Sequence, residues 1–132
     1  MDTSAAFVTV LCILMCLEST GSSSKGPIGF SSIDHSGGKV VIENTSSGRH
    51  AKSQNIGGWH LVKIVNTLTT VDIVLKDFEL NAGHSFTVWA KGAKDKATVD
   101  NEQISDIFSF GVGDGIWKVL DEEGNKHAFI TV

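Results

Sequence analysis

The sequence predicts an all-β domain, and a β-sandwich in particular. Short β-branched and aromatic runs recur along the chain, each closed by Gly, Asn or Asp. Fourteen glycines and a single proline suit a turn-rich β protein. No stretch shows a convincing helical period, and none is rich enough in Ala, Glu, Lys, Leu and Arg for a coiled coil. A small barrel would share these features, and periodicity does not separate the two.

The organising stretch is residues 78–92, Phe-Glu-Leu-Asn-Ala-Gly-His-Ser-Phe-Thr-Val-Trp-Ala-Lys-Gly. It reads as two antiparallel strands joined by a short loop at Gly83. Upstream, residues 28–33 are a weak edge strand, His35-Ser36-Gly37-Gly38 is a turn, and residues 39–44 are its hairpin partner. Residues 45–56 are polar and read as a loop. Residues 59–66 form a strong strand, Asn66-Thr67-Leu68 a hairpin tip, and residues 69–75 a strand running on through Phe78. Residues 93–105 are charged and read as a long exposed loop with room for one helical turn. A strand resumes at Ile107-Phe108-Ser109-Phe110, and a glycine-rich corner follows at residues 111–115. The last two strands, 116–120 and 127–132, are joined by Asp121-Glu122-Glu123-Gly124-Asn125. That makes seven to nine short strands, spaced as in sandwich folds.

At 132 residues the chain holds one domain, large enough to bury roughly two-thirds of its unfolded surface. A net charge of −4 argues against non-specific nucleic-acid binding, which wants a basic face. Both cysteines, Cys12 and Cys16, lie in an apolar run over residues 5–17, so no disulfide or thiolate metal site is available beyond it. That pattern suits a reducing compartment. The run is too short for a membrane span of about 20 residues. Its length fits the apolar core of a signal peptide, although the preceding Met-Asp-Thr-Ser lacks Lys and Arg; the plainer reading is an alternative start or a remnant of a longer parent. Residues 19–26 are a Ser/Gly linker. The division is therefore 1–25, apolar segment and linker, and 26–132, the folded domain.

Candidate chemistry is sparse. His35, His50, His60, His84 and His127 have no metal-motif spacing and read as scattered surface or strand residues. Gly111-x-Gly113-x-Gly115 lacks the strand–helix setting of a phosphate cradle and reads as a β corner. Asp121-Glu122-Glu123 departs from a calcium-loop pattern and reads as solvated turn charge. Trp59, Trp89 and Trp117 sit among aliphatic residues in predicted strands, so core packing is favoured over a ligand platform, with Trp59 and Trp89 facing inward. Lys91, Lys94 and Lys96 are a small basic cluster diluted by Asp95 and Asp100. Asn44-Thr45-Ser46 is a formal glycosylation sequon, relevant only in a secreted chain. The sequence assigns no catalytic, cofactor-binding or metal residue.

Several blocks, taken in order, resemble a known family. Val40-Val41-Ile42-Glu43-Asn44-Thr45, Ile56-Gly57-Gly58-Trp59-His60-Leu61, Phe78-Glu79-Leu80-Asn81-Ala82-Gly83 and Thr87-Val88-Trp89-Ala90-Lys91-Gly92 resemble the lamin tail domain. Lys25-Gly26-Pro27-Ile28-Gly29 and Glu43-Asn44-Thr45-Ser46-Ser47-Gly48-Arg49 are similar in particular to the tails of invertebrate cytoplasmic intermediate-filament proteins, and residues 119–126 resemble the family's last hairpin. The likeness covers about residues 26–132. Phe110-Gly111 stands where the family often has Trp-Gly.

The resemblance implies an immunoglobulin-like β-sandwich that is not an enzyme and needs no cofactor. It implies a structural or interaction module of the cytoskeleton, cytoplasmic or, by family analogy, nuclear, with protein partners such as filament subunits. The family's coiled-coil rod has no counterpart in these residues, so self-assembly into filaments is not expected. The rival expectation is a secreted immunoglobulin-like binding domain with a cleaved signal peptide. An enzyme is the remote third. Binding would fall to the loops 45–56 and 93–105, because loops on rigid scaffolds commonly carry it.

Overall fold

The computed structural model describes residues 22–24, 26–93 and 99–132. Among them eleven strands form: β1 (Ser22–Ser24), β2 (Ile28–Ile33), β3 (Lys39–Asn44), β4 (Gln54–Asn55), β5 (His60–Val65), β6 (Leu68–Val74), β7 (Glu79–Leu80), β8 (Ser85–Trp89), β9 (Glu102–Ile104), β10 (Ile116–Leu120) and β11 (Lys126–Thr131). One antiparallel sheet runs β1-β11-β10-β5-β6. A second runs β2-β3-β8-β9, and β4 and β7 make a separate short ladder. The arrangement is a sandwich consistent with the immunoglobulin-like class. Three short strands, β1, β4 and β9, of two or three residues each, fall outside the expected ones, β4 within the expected loop 45–56, while the strand expected at residues 107–110 does not form.

Alternation of side chains builds the core. Val40 and Ile42 of β3 and Phe86 and Val88 of β8 face inward from one sheet; Leu61, Val71, Ile73, Trp117 and Val119 meet them from the other. Leu80 of β7, with Ile56, Leu75, Ala90 and Phe110 from the connections, closes the ends. Fully burying such aliphatic or aromatic side chains is worth about 1.5–3 kcal/mol each.

The local hairpins form as expected. β2 pairs with β3 across the His35–Gly38 turn, and β10 pairs with β11 across a turn carrying Gly124 at φ 87°. β5 and β6 join through Asn66 and Thr67, at φ 52° and 67°. Two left-handed central residues are what a two-residue turn needs to match strand twist.

Non-local pairing overturns five expectations. Residues 78–92 turn at Gly83 but are not a hairpin. β7 pairs with β4, whereas β8 lies between β3 and β9. The reason is visible at the turn, where Asn44 accepts from Gly83 N–H through its carbonyl and donates its own N–H to His84 O. The end of β3 thus takes the bonds that a hairpin would have used. β6 stops at Val74 instead of running through Phe78, because Gly58 and Trp59 bind Leu75 while the Gln103 side chain takes Lys76 N–H. Residues 107–110 are not a strand. Ile107 O and Phe108 O accept from Lys91 and Gly92, and Phe110 N–H donates to Gly37 O, so no single partner strand exists. Within the expected loop 93–105, β9 pairs in parallel with β8, Thr87 opposite Glu102. Its three residues are all half-buried and show no alternation to reveal them. The expected linker, too, contains a strand: β1 extends the five-stranded sheet beside β11, Ser22 opposite Ile130.

Candidate interaction surfaces

The loop at residues 45–53 is held from below by Asn44, which is buried. Its Nδ2 donates to Lys52 O at 2.7 Å and Leu80 O at 2.8 Å. Its Oδ1 accepts from Ser46 N–H and, at 2.6 Å, from Ser46 Oγ. Ser46 Oγ in turn accepts from Lys52 N–H. The loop is therefore clasped at its neck, with Arg49 and His50 exposed on a 3₁₀ turn at Gly48–His50. The same bonds close the sequon: a buried amide that donates to two backbone carbonyls is not available for a glycan in the folded chain.

A second feature lies where the β4 region meets the last hairpin. It is an open cleft of about 490 Å³ lined by Gln54, Asn55, Trp59, Glu122, Glu123 and His127, among others. Trp59 is buried, and His127 stacks on it at 4.3 Å between ring centroids. His127 Nε2 lies 3.0 Å from Asp121 Oδ2. The buried Nδ1 makes no hydrogen bond, which places the neutral ring's proton on Nε2, towards the carboxylate. Asp121 Oδ1 accepts from Glu123 and Asn125 N–H, both at 2.9 Å. The hydrogen bond to His127 first, and these backbone N–H groups after it, hold the Asp121 carboxyl down at about 2. Glu122 and Glu123 remain exposed, as expected of turn charges. The join between Trp59, His127 and Asp121 leaves no trace in residue spacing. The legible part was the turn, where Asp two and four residues before free N–H groups is a common side-chain cap.

The three tryptophans divide. Trp59 and Trp117 are 4% and 1% exposed. Trp89, expected inward, is only partly buried: Phe86, Val88 and Ala90 take the inward positions, so Trp89 stands on the outer face with Lys39 Nζ 5.2 Å from its ring. Lys63, which drew no notice in the sequence, is 3% exposed; its Nζ donates to Phe110 O at 3.1 Å and lies 5.8 Å from the Trp117 ring.

The other candidates stay apart. His35, His50 and His84 are exposed at separate turns, and His60 contacts Asp72 at 2.7 Å. Gly111 and Gly113 have φ of 83° and 99°, and a strand follows them. Of the basic cluster, Lys91 is exposed; Lys94 and Lys96, like the apolar run, lie outside the described residues. Among the described residues no three His, Cys, Asp or Glu side chains gather to hold a metal, and no helix is long and apolar enough to cross a membrane.

The chain is 55% identical over 106 residues, 80% of its length, to a non-neuronal cytoplasmic intermediate filament protein of Cornu aspersum. It is 30% identical over 108 residues to the muscle cell intermediate filament protein OV71 of Onchocerca volvulus and 28% over 109 residues to intermediate filament protein A of Ascaris suum. Its relatives are invertebrate intermediate-filament proteins. The resemblance to invertebrate cytoplasmic intermediate-filament proteins thus holds, and it is consistent with a tail-type region. The chain spans only 18%, 24% and 21% of these three relatives. No family model matches it.

Proposed function

We propose that this chain works as a lamin-tail-type module of the cytoplasmic cytoskeleton, binding filament-protein partners without catalysis. The observation that carries the reading is the 55% identity to the snail cytoplasmic filament protein, which runs across four-fifths of the chain. The sandwich supports it. A stiff two-sheet body presents the clasped loop at residues 45–53 and the acidic cleft beside Trp59 as preformed surfaces, so little ordering entropy is lost when a partner binds. The basic residues Arg49 and Lys52 on the loop and the carboxylates at the cleft offer opposite charge at two places, which favours oriented encounter over non-specific adhesion. The buried amide of Asn44 removes one of the two supports of a secreted, glycosylated form; the other, the apolar run, lies outside the described residues.

The test is localisation of the full-length chain carrying a C-terminal tag, in cells with an intermediate-filament network, followed by detergent and high-salt extraction. Retention of the tag with the filament residue is expected. Recovery from the medium, or complete release into the soluble extract, would overturn the proposal.

A further inference from the structure

β6 is an edge of the five-stranded sheet: β5 lies on one side of it, and among the described residues no strand pairs with the other. Such an edge offers unpaired N–H and C=O groups to another chain, and native folds usually block it with a short strand, a bulge, a proline, a lysine or a cover. The other edges of the two large sheets are blocked in these ways. β1 and β9 have three residues each, and β2 carries a register shift between Phe30 and Ser32 and packs beside β11. β6, Leu-Thr-Thr-Val-Asp-Ile-Val, has seven residues and neither proline nor lysine. Its one charged side chain, Asp72, is bonded to His60 at 2.7 Å.

The register with β5 says which backbone groups are open. Val65 and Leu68 flank a two-residue turn, so they are a hydrogen-bonded pair, and such pairs alternate from there. Thr69, opposite Ile64, therefore turns its N–H and C=O away from β5. Ile64 meets Thr69 and Lys63 meets Val71, so Thr70 is an extra residue, its Oγ1 reaching back to Lys63 O at 3.4 Å. Lys63 faces β6, so Val71 and Ile73 bond towards β5, whereas Asp72 and Val74 turn outward. Val74 agrees with this, since Gln103 Nε2 donates to its C=O from the open side at 2.9 Å. That bond also closes one end, and the free stretch is Leu68–Ile73.

The bulge decides what fits there. Side chains alternate along a strand, so residues three apart normally point to opposite faces. With Thr70 inserted, Thr69 and Asp72 share the outer face, while Leu68 shares the inner face with the buried Val71 and Ile73. Leu68 lies past the end of the core and is 69% exposed. Laid antiparallel on a second copy of itself, the free stretch pairs completely in one register: Leu68 opposite Ile73, Thr69 opposite Asp72, Thr70 opposite Val71. In that register the open backbone groups of Thr69 meet those of Asp72. Apolar Leu68 comes beside apolar Ile73, a hydroxyl meets a carboxylate, and no like charges are opposed.

We propose that β6 is a self-recognition edge, which joins two copies of this chain by strand addition into an isologous pair with one sheet continuous through both. The contact is between copies of the module and is separate from the binding of other filament proteins proposed above. One short strand pair is a small interface, so it acts where copies are held close together.

Sedimentation of the full-length chain over a concentration series is the test. The mass should climb from one chain towards two and stop there. Thr69→Asp sets like charges opposite each other at both Thr69–Asp72 pairs and should weaken association at least about fivefold, whereas Thr69→Lys sets opposite charges there and should strengthen it. Both variants should keep the far-UV circular dichroism of the parent, because Thr69 is exposed. Should either lose it, the unmodified chain still answers: the amide hydrogens of Thr69 and Asp72 should exchange more slowly in concentrated than in dilute solution, with smaller changes at Val71 and Ile73. A mass of one chain throughout, growth beyond two, Thr69 variants that shift association the same way or not at all, or exchange at Thr69 and Asp72 that ignores concentration overturns the proposal.

Discussion

Trp117 and Trp89 occupy strands of similar composition and end in opposite places. Trp117 lies opposite Lys63 in the register of β10 and β5 and is 1% exposed, edge-on to Phe110 at 5.4 Å. Trp89 sits at the end of β8, on the outer face of the other sheet, beneath the Lys39 ammonium. What separates them is parity. In β10, Trp117 and Val119 share the inward side; in β8 that side is taken by Phe86, Val88 and Ala90, which leaves Trp89 outside. A large aromatic residue in a strand does not choose the core. The period-two pattern of its neighbours chooses for it.

The comparison breaks most readily at the two rings themselves. Trp117→Ala should cost about 3–5 kcal/mol, since it opens a cavity where the sheets meet. Trp89→Ala should cost about 1 kcal/mol, from lost surface packing and one cation–π contact. Urea midpoints of both variants check this. Equal losses would mean that the ring of Trp89 is as much a part of the core as that of Trp117.

A smaller effect tests the polar counterpart of burial. Asn44 shares the inward side of β3 with Val40 and Ile42, where an amide is tolerated only because its hydrogen bonds are made. Asn44→Ala should cost about 1–3 kcal/mol by removing the amide donor that serves the Leu80 and Lys52 carbonyls and the Oδ1 acceptor that holds Ser46. It should also speed amide hydrogen exchange across residues 46–53 more than in the strands. Uniform acceleration through the whole domain would show that Asn44 supports the sheet and not the loop.

These contrasts show where the sequence was readable. Turns whose chemistry lies within the turn itself gave the β2–β3, β5–β6 and β10–β11 hairpins, as with Gly124. The parity of Phe86 and Val88 could have placed Trp89 correctly, and was outweighed by the size of the indole. Partner choice was not readable. Gly83 marks a reversal whether its bonds go to residue 80 or, as happens, to Asn44. β9 is short, half-buried and parallel, so it has neither alternation nor a turn to announce it. The cleft was the least accessible of all: Trp59 and His127 stack across most of the domain's length, and Asn44 presented itself as a sequon because the Ser46 that completes the motif also clasps the loop.

The smallest predicted effect concerns the third tryptophan, which belongs to both categories. Trp59 is buried like Trp117, yet its outer face touches a half-exposed His127 tied to Asp121. The Asp121 carboxyl is held at about 2, below its ordinary 3.8, chiefly by the hydrogen bond from His127. A carboxyl whose folded value is depressed stabilises the fold above its unfolded value, near 3.9, and loses that contribution as pH falls through its folded one. Stability of the native chain should therefore decline between about pH 4 and pH 2 as Asp121 takes up its proton. In Asp121→Asn that part of the decline should be missing, because no carboxylate remains there to protonate, while the turn N–H groups keep an acceptor. Urea midpoints followed across this range for both chains give the answer. Parallel curves would mean that the contact between His127 and Asp121 carries no linkage, and that Trp59 is held by the core alone, as Trp117 is.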